Sequence, residues 1–143
     1  MTALEKVVVD ASVVVKWYVP EVASGDASRL LDGTTARFAP DLLVAEFGNV
    51  LWKKVRKGEL SDLEAHQIAE GFVSACPVAL HALTPYLRSA LEIATRRQCT
   101  VYDALYLALA LSEGCQLATA DARLANLLAG TELEGVVRLL RQE

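Results

Sequence analysis

Four carboxylates of this chain fall where a sheet-based fold would gather them: Asp10, Glu46, Asp103 and Asp121. Asp10 follows Val7-Val8-Val9, a β-branched run that reads as a short buried strand. Asp121 follows Gln116-Leu117-Ala118-Thr119 in the same way. Glu46 lies within the first turn and a half of a helical segment, and Asp103 comes three residues after Thr100. Each has an ordinary structural reading. Asp10 and Asp121 would serve as N-caps, Glu46 as a partner for a helix dipole, and Asp103 as the acidic half of a capping box. Together they share one property, because each stands at the end of a strand or the beginning of a helix. In a right-handed βαβ arrangement those points lie along one edge of the sheet, where ligands collect. Two carboxylates about 4 Å apart repel by roughly 4 kcal/mol at an effective dielectric of 20. A cluster of four therefore calls for a cation. Hard oxygen donors suit Mg²⁺ or Mn²⁺, and the chemistry such a site favours is attack of water on a phosphodiester.

The elements that must position these acids can be read from periodicity. After Asp10, the segment Ser12 to Tyr18 is apolar and stops at Pro20, as a short helix would. Val22 to Leu31 has an amphipathic pattern ended by Gly33, and Arg37-Phe38-Ala39 before Pro40 suits a short strand. From Asp41, Leu43, Phe47, Val50, Leu51 and Val55 draw one buried helical stripe that closes at Gly58, with Glu46, Asn49 and Lys53 on a neighbouring ridge. Ser61-Asp62-Leu63-Glu64 is a capping box for a helix reaching Ala75, before Pro77. Val78 to Ala82 suits a strand. Thr84-Pro85 predicts a cap and a first-turn proline for a helix burying Leu87, Ala90, Leu91 and Ala94. Thr100 caps a helix, Tyr102 to Leu111, that is apolar nearly all round and ends at Gly114. Asp121 opens the helix Ala122 to Leu128, Gly130 and Gly135 flank a turn, and Val136 to Leu139 is a last strand. Short strands alternating with helices predict an α/β fold with a short parallel sheet flanked by helices.

Bulk properties narrow the classes. A length of 143 residues suits a single domain spanning 1–143, and 53% hydrophobic against 22% charged residues excludes a disordered chain. The longest uncharged apolar run, Ala104 to Leu111, is far short of the ~18 residues of a membrane span. No secretory signal pattern precedes Asp10, so a cytoplasmic location without membrane attachment is expected. Three cysteines, Cys76, Cys99 and Cys115, suit reduced thiols packed as small hydrophobes. The net charge of −4 means that an anionic substrate must be drawn in locally, by a basic patch or a bound cation.

Four segments resemble, in order, the motifs of PIN-domain ribonucleases, and specifically VapC-type toxins of toxin–antitoxin pairs. They are Val7-Val8-Val9-Asp10-Ala11-Ser12, Ala39 to Leu51 around Glu46, Thr100 to Ala108 around Asp103, and Leu117 to Leu124 around Asp121. The resemblance spans essentially the whole chain. It implies a PIN-like domain and a Mg²⁺- or Mn²⁺-dependent endoribonuclease. Asp10 and Asp103 would be the principal metal ligands, with Glu46 and Asp121 completing a catalytic quartet. Ser12 and Thr119 match hydroxyl positions that would orient those carboxylates from outside, as Asn49 would one turn beyond Glu46. The family also implies a homodimer, and a cognate antitoxin whose C-terminal segment covers the site.

The remaining candidates are weaker. Lys53, Lys54, Arg56 and Lys57 form the densest positive run, either a solvated helix end balancing the macrodipole or a substrate contact. Arg123, next but one to Asp121, is the better candidate for a phosphate. His66 and His81 lack metal-ligand spacing, and no glycine-rich phosphate loop follows the first strand. Trp17, Trp52 and Phe72 read as core or dimer interface rather than base-stacking platforms. Two other classes compete: a phosphatase using Asp10 as nucleophile, for which Ser12 stands where a second Asp is usual, and a catalytically silent PIN-fold binding module, against which the full set of acids speaks.

Overall fold

A computed structural model of the chain describes residues 4–142; Met1 to Ala3 and Glu143, the extremes of the expected 1–143 domain, lie outside the described residues. Five strands form one wholly parallel sheet in the order β3-β2-β1-β4-β5: β1 (Glu5–Val9), β2 (Thr35–Pro40), β3 (Ala79–His81), β4 (Gln116–Thr119) and β5 (Val137–Leu139). The α-helices among the described residues are α1 (Ala11–Val14), α2 (Ser24–Arg29), α3 (Leu42–Arg56), α4 (Asp62–Ser74), α5 (Leu87–Arg97), α6 (Val101–Glu113) and α7 (Ala122–Leu128). The α/β expectation is met.

The order of the strands decides where the site must be. From β1 the chain moves outward through β2 to β3, then returns to place β4 on the other side of β1 and β5 beyond it. The winding reverses at β1, and a crevice opens beyond the carboxyl ends of β1 and β4, where the connections leave in opposite directions. Val7, Val8 and Val9 are buried, as are Leu117, Ala118 and Thr119 on the adjoining strand. Each buried valine contributes on the order of 1.5–3 kcal/mol through removal of its side chain from water. Helix α6 lies against β1, β2 and β4 and is buried continuously from Ala104 to Ala110. Helix α3 packs on β2, α1 and α4, burying Leu43, Phe47 and Leu51. Phe47 and Phe72 meet with ring centroids 4.8 Å apart, which places Phe72 in the core.

Several sequence expectations need correction. The Val22–Leu31 helix is confined to α2, because Ala23 takes a left-handed conformation at φ +68° just before it. Thr84-Pro85 forms a separate 3₁₀ turn, Thr84–Tyr86, and α5 starts at Leu87 without a side-chain cap. Leu87 and Leu91 are more than half exposed, whereas Ala90 and Ala94 are buried against Ala104 and Ala108 of α6. Small side chains let α5 and α6 approach closely, and the leucines one residue round the helix are left outside the seam. Trp52 is likewise 52% exposed and not core. Of the cysteines, Cys99 and Cys115 are half-buried but Cys76 is exposed; all three are free thiols. Among the described residues no helix is long and apolar enough to cross a membrane.

One buried charge holds the C-terminal end in place. Asp26 of α2 is fully buried, and its carboxylate accepts the Arg141 amide at 2.7 Å. It also has guanidinium nitrogens of Arg29 at 3.3 Å and of Arg138 and Arg141 at 3.7 Å. Burial pushes the Asp26 carboxyl up, but the Arg141 amide and these cations together hold it below 3.8. Its contribution is therefore complete above pH 3.8 and is lost as pH falls through the lower folded-state value. Asp26→Asn should cost about 2 kcal/mol of unfolding free energy at pH 7, and the cost should vanish in acid. Urea unfolding of both proteins at several pH values checks this; a difference independent of pH would mean that the charge is not what matters.

Candidate active site

The carboxylate at the end of β1 is held by two hydroxyls, one from each side of the crevice. Asp10 has extended backbone (φ −103°) and caps α1, its Oδ1 accepting the amides of Ser12 at 3.0 Å and Val13 at 3.3 Å. Ser12 Oγ donates to the same oxygen at 2.5 Å, and Thr119 Oγ1, from the end of β4, donates to Oδ2 at 2.5 Å. Each hydroxyl oxygen in turn accepts an amide from the start of the next loop: Ala120 N–H to Ser12 at 2.9 Å and Asp121 N–H to Thr119 at 3.0 Å. Two short polar side chains thus stitch the ends of β1 and β4 together and fix the plane of the Asp10 carboxylate. Thr119 has no solvent exposure, so its hydroxyl is present for these bonds and not for water.

The other acids arrive from helix starts. Thr100 caps α6 by accepting the Asp103 amide at 3.1 Å, which places Asp103 in the first turn of the helix. Asp121 caps α7, accepting the Leu124 amide at 3.2 Å. Arg123 Nη2 lies 3.3 Å from Asp121 Oδ2 and 3.8 Å from Asp103 Oδ2, so one guanidinium spans the two carboxylates. Glu46, on α3, accepts a 2.6 Å hydrogen bond from the Tyr106 hydroxyl of α6. In the sequence Tyr106 is one of an apolar run, and its i+3 spacing from Asp103, on the same helical face, is the only local clue to this role. Asn49 stands exposed on α3 and makes no hydrogen bond to the acids among the described residues.

Electrostatics shows that the four acids sense one another. Burial raises the Asp10 carboxyl to about 6 against the pull of its hydrogen bonds, and the Glu46 charge adds to the rise. Glu46 is raised by burial and by Asp103; Asp103 is raised by burial and by Asp121, with Arg123 opposing. Tyr106 is pushed up strongly by burial, then by Glu46, Asp10 and Asp103, so it remains a neutral donor. Asp10, Glu46, Asp103 and Asp121 therefore form a connected run of negative charge across the crevice. Among the described residues no three acidic, histidine or cysteine side chains converge into a ready-made metal cage. The donor set is nonetheless all hard oxygen, and it suits an ion that takes one or two carboxylates and keeps its water, as Mg²⁺ does.

An ionised carboxylate with a raised value destabilises the fold above that value, and the penalty disappears as protonation proceeds downward from it. In metal-free buffer with chelator, Asp10→Asn should raise the melting temperature by several degrees at pH 7.5. The gain should shrink as pH falls from about 6 towards 3.8. Asn keeps an acceptor for the Ser12 and Val13 amides, so the cap survives. A variant that melts lower than the parent at pH 7.5 would show that the Asp10 charge is not under strain.

Comparison with known proteins gives the same address to this geometry. Ribonuclease VapC3 of Pyrobaculum aerophilum is 39% identical over 124 residues, covering 85% of this chain and 93% of the relative. A crystal structure of PAE2754 from Pyrobaculum aerophilum superposes with a TM-score of 0.68 at 28% identity, covering 94% of this chain and 83% of that one. The fold is also that of a toxin–antitoxin complex from Klebsiella pneumoniae, at a TM-score of 0.67 and 12% identity over 96% of this chain and 99% of that one. The PIN domain model matches residues 7–128, a span that begins in β1 and ends with α7 and so contains all four acids; the chain belongs to the PIN domain family.

Proposed function

We propose that this chain is a divalent-metal-dependent endoribonuclease, using Mg²⁺ or Mn²⁺ to hydrolyse RNA phosphodiester bonds as the toxin of a toxin–antitoxin pair. The observation that carries this reading is the gathering of Asp10, Glu46, Asp103 and Asp121, from four separate segments, into one electrostatically coupled crevice at the reversal point of the sheet. The match to relatives named ribonuclease VapC supports the substrate class and the toxin role.

Asp10 and Asp103 are the ligands we assign first, with Glu46 and Asp121 completing the set. A bound ion there would offset charge developing on the phosphoryl oxygens and make water a better nucleophile. The chain's own residues supply orientation. Ser12 and Thr119 tie down both oxygens of Asp10, and Tyr106 occupies Glu46 Oε1, leaving its other oxygen for the crevice. Fixed partners of this kind typically matter by 10–100-fold in metal affinity or activity. A phosphatase with Asp10 as nucleophile would want a second acid two residues on, where this chain has Ser12. Arg123 is 75% exposed and sits over Asp103 and Asp121, within reach of an incoming phosphate. A cytoplasmic site of action, a second copy of the chain, and an antitoxin whose C-terminal segment covers the crevice complete the proposal.

Saturating Mg²⁺ or Mn²⁺ should raise the melting temperature by relieving carboxylate repulsion, and Asp103→Asn should abolish most of that rise. RNA cleavage by the same variant should fall by more than the roughly 10–100-fold typical of losing an outer partner. A melting curve indifferent to metal would remove the ion from the scheme. With water as the nucleophile, end-group analysis of cleaved RNA should find 5′-phosphate and 3′-hydroxyl termini; 2′,3′-cyclic phosphates would reject the mechanism.

A further inference from the structure

The proposed substrate is a polyanion and the chain carries a net charge of −4, so attraction must come from a local feature. One groove has the required character. It has a volume of about 410 Å³ and runs between the α1 segment and the second half of α3, with Lys16, Lys53, Lys54 and Lys57 outnumbering Glu21 and Glu59 on its walls. Ser12 also lines it, and Ser12 is hydrogen-bonded to Asp10, so the groove opens directly onto the acid cluster.

Its lysines are of two kinds. Lys16 and Lys54 are mostly buried and are spent on Glu21, at 3.0 Å for Lys16, while Lys54 also reaches Glu59 at 3.3 Å. Those contacts build the wall. Lys53 and Lys57 are exposed and have no acidic partner within ion-pair distance among the described residues. They share one ridge of α3 with Glu46, seven and eleven residues further on. That places them roughly 10 and 16 Å along the helix axis from the acid cluster. The ridge therefore starts at the cleavage centre and continues as unspent positive charge.

We propose that this groove is the track that holds the RNA backbone on one side of the scissile phosphate, with Lys53 and Lys57 each contacting a phosphate. The reading rests on the nuclease assignment above. A strand whose charge repeats at every nucleotide can place one phosphate in the acid cluster and others on Lys53 and Lys57 at once. An acidic protein segment has no reason to enter a crevice lined by four carboxylates.

The test compares the parent chain with Lys53→Gln/Lys57→Gln and with a charge-matched control, Arg88→Gln/Arg96→Gln on α5. Affinity for a labelled single-stranded oligoribonucleotide is measured by fluorescence anisotropy in chelator across a range of KCl, and cleavage is then followed with metal. The lysine variant should bind roughly tenfold more weakly, and its salt slope should fall by about 1.4, the value for two lost single-strand phosphate contacts. Its defect should lie in KM rather than kcat, its metal-induced rise in melting temperature should match the parent's, and the control should behave like the parent. If the parent cleaves RNA and the lysine variant matches it in KM and salt slope, the track is wrong and the nuclease assignment stands. If the variant instead loses affinity for polyglutamate while keeping that for RNA, the groove belongs to an acidic protein. A parent that neither binds nor cleaves RNA overturns both.

Discussion

The structure is governed by the cost of bringing carboxylates together. Like charges at a few ångströms repel by several kcal/mol when partly removed from water. Nothing in the core is served by assembling Asp10, Glu46, Asp103 and Asp121. The fold accommodates them by putting each at a chain position that already favours an anion. Asp10 and Asp121 cap helices, Asp103 follows a cap by one turn, and Glu46 faces a tyrosine hydroxyl. Each acid is locally tolerable, and only their sum is costly. The residual strain appears as raised carboxyl values at Asp10, Glu46 and Asp103.

That arrangement depends on the sheet. Parallel sheets are buried on both faces, which is why Val7 to Val9 of β1 and Leu117 and Ala118 of β4 are apolar and buried, after exposed polar residues at the strand starts. The first polar groups after each run meet one another across the reversal point. Ser12 and Thr119 convert that meeting into a rigid lattice of hydroxyl-to-carboxylate and amide-to-hydroxyl bonds. Rigidity matters for chemistry because a donor set already oriented pays no reorganisation when charge develops. Arg123 is the counterpoint, an exposed cation on a short helix that balances two of the acids without filling the crevice.

Charge is distributed unevenly in a way that the overall composition conceals. The chain is net negative, yet α3 carries an acid near its beginning and a basic cluster in its last turn, so a single helix joins the acid cluster to a basic surface. The buried pairs of Lys16 and Lys54 with Glu21 shape that surface. Lys53 and Lys57 have no acidic partner within ion-pair distance among the described residues.

Much of this was legible in the residues themselves. Val7 to Val9 followed by Asp10, the Ser61 capping box, Thr100 before α6 and Gly114 after it all act through neighbours in the chain, so local pattern suffices to find them. The four acids and the two hydroxyls were recognisable by type, order and position. Other features were not legible because they arise between segments far apart in the chain. Tyr106 meets Glu46 across 60 residues, and Asp26 meets Arg141 across 115. The exposure of Leu87 and Leu91 follows from the alanine seam that α5 makes with α6, not from the amphipathic pattern of α5 alone. What the sequence determined by itself was which groups the chain offers for chemistry and which elements carry them, since propensity, capping and periodicity act over a few residues. Which of those groups meet, which are buried and which charges stay unpaired was decided only when the sheet reversed direction at β1 and brought distant segments within bonding distance.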